Sequence, residues 1–157
     1  MPRDDSNRIQ PVEYQTISAA AKTDSGENIL APELPQGWWV NQAKWNGNPT
    51  DGVKTWKVGF VGPKNQYIGL VQAFAINPTW LAQQTVGMDS VINKNQNTLN
   101  WLRWTPAKGT DADPIMLTLE LDNGNFVSLS GTANEEEFGV FAKMIEQLLD
   151  EVKQDSN

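Results

Sequence analysis

The sequence predicts a single α+β domain: a mostly antiparallel sheet of about six or seven strands, with a short central helix and a long C-terminal helix packed on one face. Three observations carry this. Apolar residues in the middle of the chain alternate mainly at period two, the signature of half-buried strands. Dense turn signals, Asn46-Gly47-Asn48-Pro49 with Asp51-Gly52, Gly62-Pro63-Lys64-Asn65 and Asp122-Asn123-Gly124, separate those runs at hairpin spacing. Near the C-terminus the period changes to that of a helix.

Residues 1–33 are rich in Asp, Ser, Asn, Gln and Pro and read as an arm or linker, with one helix-compatible piece over 13–22. The domain proper is expected over 34–153, and 154–157 form a polar tail. The first strand is expected over 38–45 and the second over 54–61, where Trp56, Val58 and Phe60 point one way and Thr55, Lys57 and Gly59 the other. The third, over 66–74, sets Ile68, Leu70 and Phe74 on one face together with Gln72. Asn77 followed by Pro78 supplies a cap and a proline at the first helical position, opening a short helix to about residue 86 with Trp80 and Leu81 on its buried side. Weaker strand signals cover 88–92 and 98–104, the second with Leu99 and Trp101 on one face and Leu102 and Trp104 on the other.

Over 114–131 the parity of the apolar residues decides the turn. A two-residue Asn123-Gly124 turn would pair Leu119 with Ser128 and mix the faces. A three-residue loop with Gly124 in the left-handed region pairs Leu119 with Val127 and Leu117 with Leu129, so a bulged hairpin is expected. Asn134 then caps the last helix, and Glu135, Glu136 and Glu137 lie where carboxylates meet the positive end of the helix dipole. Phe138, Phe141, Ile145, Leu148 and Val152 follow at helical spacing, a helix roughly 28 Å long.

Composition removes whole classes of chemistry. The 157 residues include no cysteine and no histidine, which excludes disulfides, thiol nucleophiles, Ser-His-Asp machinery and histidine- or thiolate-ligated metals. No cofactor and no metal site is expected. A net charge of −7 repels phosphate backbones and anionic bilayers, so nucleic acid is not an expected partner. No apolar run approaches the ~18–20 residues that span a bilayer, and the chain reads as soluble.

The segment Leu34-Pro35-Gln36-Gly37-Trp38, then Trp45, Trp56-Lys57-Val58-Gly59-Phe60-Val61 with Pro63, Tyr67 with Leu70 and Gln72, and Gly131-Thr132-Ala133 resemble an actinobacterial domain of unknown function catalogued as number 4245. The likeness runs from about residue 8 to 152. It implies a single N-terminal membrane anchor that precedes this chain in the full-length protein, and a domain on the extracytoplasmic side of the cytoplasmic membrane. The membrane would then be met only through that anchor. The resemblance brings no assigned activity and no functional residues. By looser analogy the architecture is similar to Mog1/PsbP-like folds.

Seven tryptophans in one small domain suggest a stacking platform for glycan or lipid, set against the plainer reading that they fill the core. Trp56, Trp80 and Trp101 are expected in the core. Trp38, Trp39, Trp45 and Trp104 are the candidate ligand-binding residues; adjacent Trp38 and Trp39 must face opposite sides of a strand, one of them exposed or covered by the N-terminal arm. Asp111-Ala112-Asp113 has calcium-like oxygen chemistry but lacks an EF-hand's ligand count and reads as a solvated loop. Ser128-Leu129-Ser130-Gly131 lacks the glycine spacing of a nucleophile elbow. The function expected is a non-catalytic envelope module that binds a protein partner or a cell-wall or lipid ligand. The alternative is a carboxylate-dependent hydrolase of envelope glycans, which needs two acidic groups across a cleft.

Overall fold

Seven strands form one antiparallel sheet in the order β1-β2-β3-β7-β6-β5-β4 in the computed structural model, which describes residues 8–91, 101–106, 115–121 and 124–155. The strands are β1 (Trp39–Asn46), β2 (Lys54–Val61), β3 (Tyr67–Phe74), β4 (Met88–Val91), β5 (Leu102–Pro106), β6 (Ile115–Glu120) and β7 (Phe126–Gly131). Three helices accompany them: α1 (Pro11–Ser25), α2 (Pro78–Gln84) and α3 (Glu135–Asp155). The α+β class and the strand count agree with the sequence reading.

The bulged hairpin forms in the expected register, with Leu117 opposite Leu129 and Leu119 opposite Val127. Gly124 has φ 84°, and its amide donates to the Leu121 carbonyl at 3.1 Å. Residues 122 and 123 of that turn, and the Asp111-Ala112-Asp113 run, lie outside the described residues.

The pleat sorts side chains to two faces. On the first, a row crosses the sheet through Ala43, Val58, Leu70, Leu129, Leu117 and Arg103. Flanking rows add Val40, Phe60 and Ile68, and Trp45, Trp56, Gln72, Val127 and Leu119. Helix α3 lays Phe138, Phe141, Ala142 and Ile145 on this face, and α1 adds Tyr14 and Ala21. Trp56, Phe60, Phe138 and Phe141 are all fully buried, and each such side chain contributes about 1.5–3 kcal/mol on leaving water. Asn134 and Glu137 close a reciprocal capping box at the start of α3: the Glu137 amide donates to Asn134 Oδ1 at 2.8 Å, and the Asn134 amide to Glu137 Oε1 at 3.0 Å.

Two arrangements differ from expectation. The segment read as an arm carries α1, which begins with Pro11 in its first turn, ends at left-handed Gly26, and delivers Ile29 and Leu30 into the main core. The central helix does not share a face with α3. Asn77 caps α2 as expected, its Oδ1 accepting from the Trp80 amide at 2.8 Å, but Trp80 meets Phe126 edge-to-face at 5.3 Å in a second cluster with Val53 and Ala73, on the opposite side of the sheet. The physical reason is parity: Ala73 and Phe126 point away from the Leu70 and Leu129 row, and their large apolar surface needs its own cover.

Candidate functional site

Helices α1 and α3 seal the first face of the sheet, whereas α2 covers only one end of the second. The rest of that second face, which no helix among the described residues covers, is the candidate site. One row across it runs Gln42, Gly59, Gly69, Ser130, Met116 and Trp104; the next runs Lys44, Lys57, Val71, Ser128, Thr118 and Leu102. Gln42, Lys44 and Lys57 are exposed and Gly69, Val71 and Ser130 half-buried, whereas Gly59, Ser128, Thr118 and Met116 in the same rows are buried, so the exposed part of this face lies toward β1 and β2.

Tyr67 stands on this face beside Gly59 and Gly69. A Cβ added at Gly69 would lie 3.2 Å from the Tyr67 ring and hydroxyl, and one added at Gly59 would strike Asn41 Oδ1 and meet the Tyr67 hydroxyl at 2.8 Å. Absence of side chains at these two positions is what lets the ring lie against the sheet. Asn41 is the extra residue of a bulge between Val40 and Gln42 on β1.

The four candidate tryptophans do not converge. Trp38 faces the covered side, its ring 4.9 Å from Phe141. Trp45 also lies on that side, 5.8 Å from Phe74, with Nε1 donating to Asp24 Oδ2 at 2.6 Å. Trp39 points to the second face, where the Arg8 guanidinium lies 4.6 Å over its ring, and the Ile9 amide donates to the Val40 carbonyl at 2.7 Å. The N-terminal segment therefore covers Trp39. Trp104 is on the second face too, half-buried, with Nε1 donating to Thr118 Oγ1 at 2.9 Å. Trp39 and Trp104 stand five strand positions apart, about 24 Å at ~4.8 Å per strand, too far to share one small ligand. Trp56, Trp80 and Trp101 are buried, as the core reading requires.

The sequence reading did not single out Lys44 and Lys57. They sit directly opposite each other on β1 and β2, both exposed, and among the described residues neither has an ion-pair partner. The alternation in β2 already sent Lys57 to this face, but its opposition to Lys44 depends on the register in which Asn46 meets Thr55 across the long connection between β1 and β2, which no short turn signature fixes. Elsewhere Arg103 pairs with Glu135, joining β5 to the first turn of α3 on the covered side. Burial pushes the Tyr14 phenol well above its ordinary value; its hydroxyl donates to the Pro32 carbonyl at 3.3 Å. Among the described residues no cluster of acidic side chains is arranged to hold a metal, and no helix is long and apolar enough to cross a membrane.

A family model described as a protein of unknown function, DUF4245, matches residues 1–145. The chain belongs to the DUF4245 family. No curated protein and no solved structure matches it.

The DUF4245-like residues noted in the sequence build joints of the scaffold. Gly37, at φ 87°, ends a turn closed by the Trp38 amide and the Pro35 carbonyl at 3.1 Å, and a Cβ there would touch the Pro63 ring at 3.4 Å. Gln72 and Trp56 tie down the segment after α1, and Gly131 lies so close to the Tyr67 carbonyl that a Cβ would collide with it. The Tyr67 carbonyl in turn accepts from the amides of Thr132 and Ala133 at 2.9 and 3.2 Å.

Proposed function

We propose that this DUF4245 domain is a non-catalytic binding module of the cell envelope, and that its contact surface is the part of the sheet that α1, α2 and α3 leave uncovered. One observation carries the reading: the two faces of a single sheet are treated differently, one filled by aromatic and aliphatic side chains beneath two helices, the other left with half-buried Gly69, Val71 and Ser130 beside exposed Lys44 and Lys57. A face with exposed cations on β1 and β2 and half-buried aromatics suits contact with a partner protein or with a cell-wall or lipid ligand. The lack of histidine and cysteine supports binding rather than catalysis. The extracytoplasmic location, the actinobacterial origin and the N-terminal anchor are part of the same proposal and rest on the residue resemblance.

The test is thermal unfolding of the domain against envelope glycans, lipid headgroups, calcium and small anions. A ligand at ~100 times its dissociation constant adds about 2.7 kcal/mol, a shift of several degrees for a domain of this size. A reproducible shift reduced by Lys57→Gln or Trp104→Ala supports the reading. A shift that ignores both, together with ligand-induced amide shifts confined to the α1 and α3 side, overturns it.

A further inference from the structure

Building on the reading of the uncovered face as a contact surface, we infer that its occupant is an extended acidic segment of a partner protein, received by the Lys44–Lys57 pair. Like charges directly opposite each other across two strands are unfavourable, and these two meet in a chain whose net charge is −7. Guarding a sheet edge accounts for a lysine on β1, which is an outer strand, but not for Lys57 on β2, which is paired on both sides. An anion between the two ammonium groups turns their repulsion into two charge-assisted contacts.

The shape of the face selects a chain over a small ion or a bilayer. Beside the lysines lie half-buried Gly69, Val71 and Ser130 with buried Gly59 and Ser128, strand residues of a regular ladder that, among the described residues, bring no further cationic side chain to the pair to close around a small anion. The overall negative charge opposes approach to an anionic membrane or to nucleic acid, while a local cationic pair still suits a short acidic stretch. Among the described strand residues the acidic side chain of this face is Glu120, three strands from Lys57 at the α2 end, so the cationic side is distinct from it.

The experiment is a nuclear magnetic resonance titration of the isotope-labelled chain with a synthetic peptide alternating Glu with Val and Thr. Inorganic phosphate and phosphatidylglycerol vesicles are run in parallel. Two double variants carry the same change in net charge: Lys44→Gln with Lys57→Gln, and Lys54→Gln with Lys64→Gln elsewhere on the surface. The peptide is expected to shift amides of β1, β2 and β3 around Lys44, Lys57 and Gly69. The first double variant should weaken it about tenfold, and the second by less than about twofold. Equal weakening by both doubles, shifts centred elsewhere, or equal responses to phosphate or vesicles overturn the inference. A glycan or lipid that shifts the unfolding temperature while the peptide does nothing would remove the acidic partner and leave the binding module standing. Both doubles are expected to unfold within a few degrees of the parent, so a loss of binding reads as a lost contact.

Discussion

Gln72 grips the backbone on both sides of Ile29: its Oε1 accepts from the Leu30 amide at 2.9 Å, and its Nε2 donates to the Asn28 carbonyl at 2.6 Å. Trp56 Nε1 completes the clamp, donating to the Leu30 carbonyl at 2.9 Å. A segment without regular structure is thereby hydrogen-bonded inside the core rather than left with orphaned backbone groups. Replacing Gln72 with Leu keeps the volume and strands that backbone. The expected loss is about 2–3 kcal/mol, seen as a clear fall in unfolding temperature together with faster hydrogen exchange at the Leu30 amide.

Two glycines make opposite predictions. Gly131→Ala, at φ 154° and against the Tyr67 carbonyl, should abolish folding or cost more than about 3 kcal/mol, because backbone cannot yield as a flexible side chain can. Gly139→Ala, in α3 with open space around its Cβ, should stabilise by roughly 0.5–1 kcal/mol. Denaturant unfolding of the pair reads both signs.

Tyr14 gives a pH dependence at the alkaline end. Its phenol is held neutral in the folded chain, so folded protein keeps a proton that the unfolded chain releases near pH 10. Stability should be complete below that pH and fall as pH rises through and beyond it. Tyr14→Phe, at the cost of the bond to Pro32, should flatten that decline. Unfolding temperatures measured from pH 8 to about 11 for both proteins check the sign.

Arg8 lies over Trp39 from the N-terminal segment. Arg8→Ala should shift the tryptophan emission to longer wavelength and cost about 0.5–1 kcal/mol, mostly through water reaching the ring. An unchanged emission spectrum would mean that the indole is screened by other groups.

Particular residues show what was legible in the sequence. The register of β6 and β7 could be read because only one turn length puts Leu117, Leu119, Val127 and Leu129 on a common face. Opposite facing of Trp38 and Trp39 followed from the pleat alone. The side of the sheet that Trp80 would occupy could not be read, since helical spacing identifies a buried stripe and not its acceptor. Nor could the inclusion of residues 8–33, whose few apolar groups, Tyr14, Ala21, Ile29 and Leu30, enter the core at irregular spacing. The Lys44–Lys57 opposition was hidden because the connection between Asn46 and Thr55 is too long for a turn type to fix the register of β1 on β2.

The strand order has a kinetic consequence. Strands β1, β2 and β3 are successive neighbours and can zip as soon as residue 74 is available, whereas the other side of β3 waits for β7, more than fifty residues later in the chain. Until then Tyr67–Phe74 offers a bare edge, and the aromatic surface destined for α3 has no lid, because α3 comes last. Closing so long a loop is slow relative to zipping a hairpin. The growing chain thus passes through a half-sheet with an open edge, and protection from self-association during synthesis must come from outside that half-sheet.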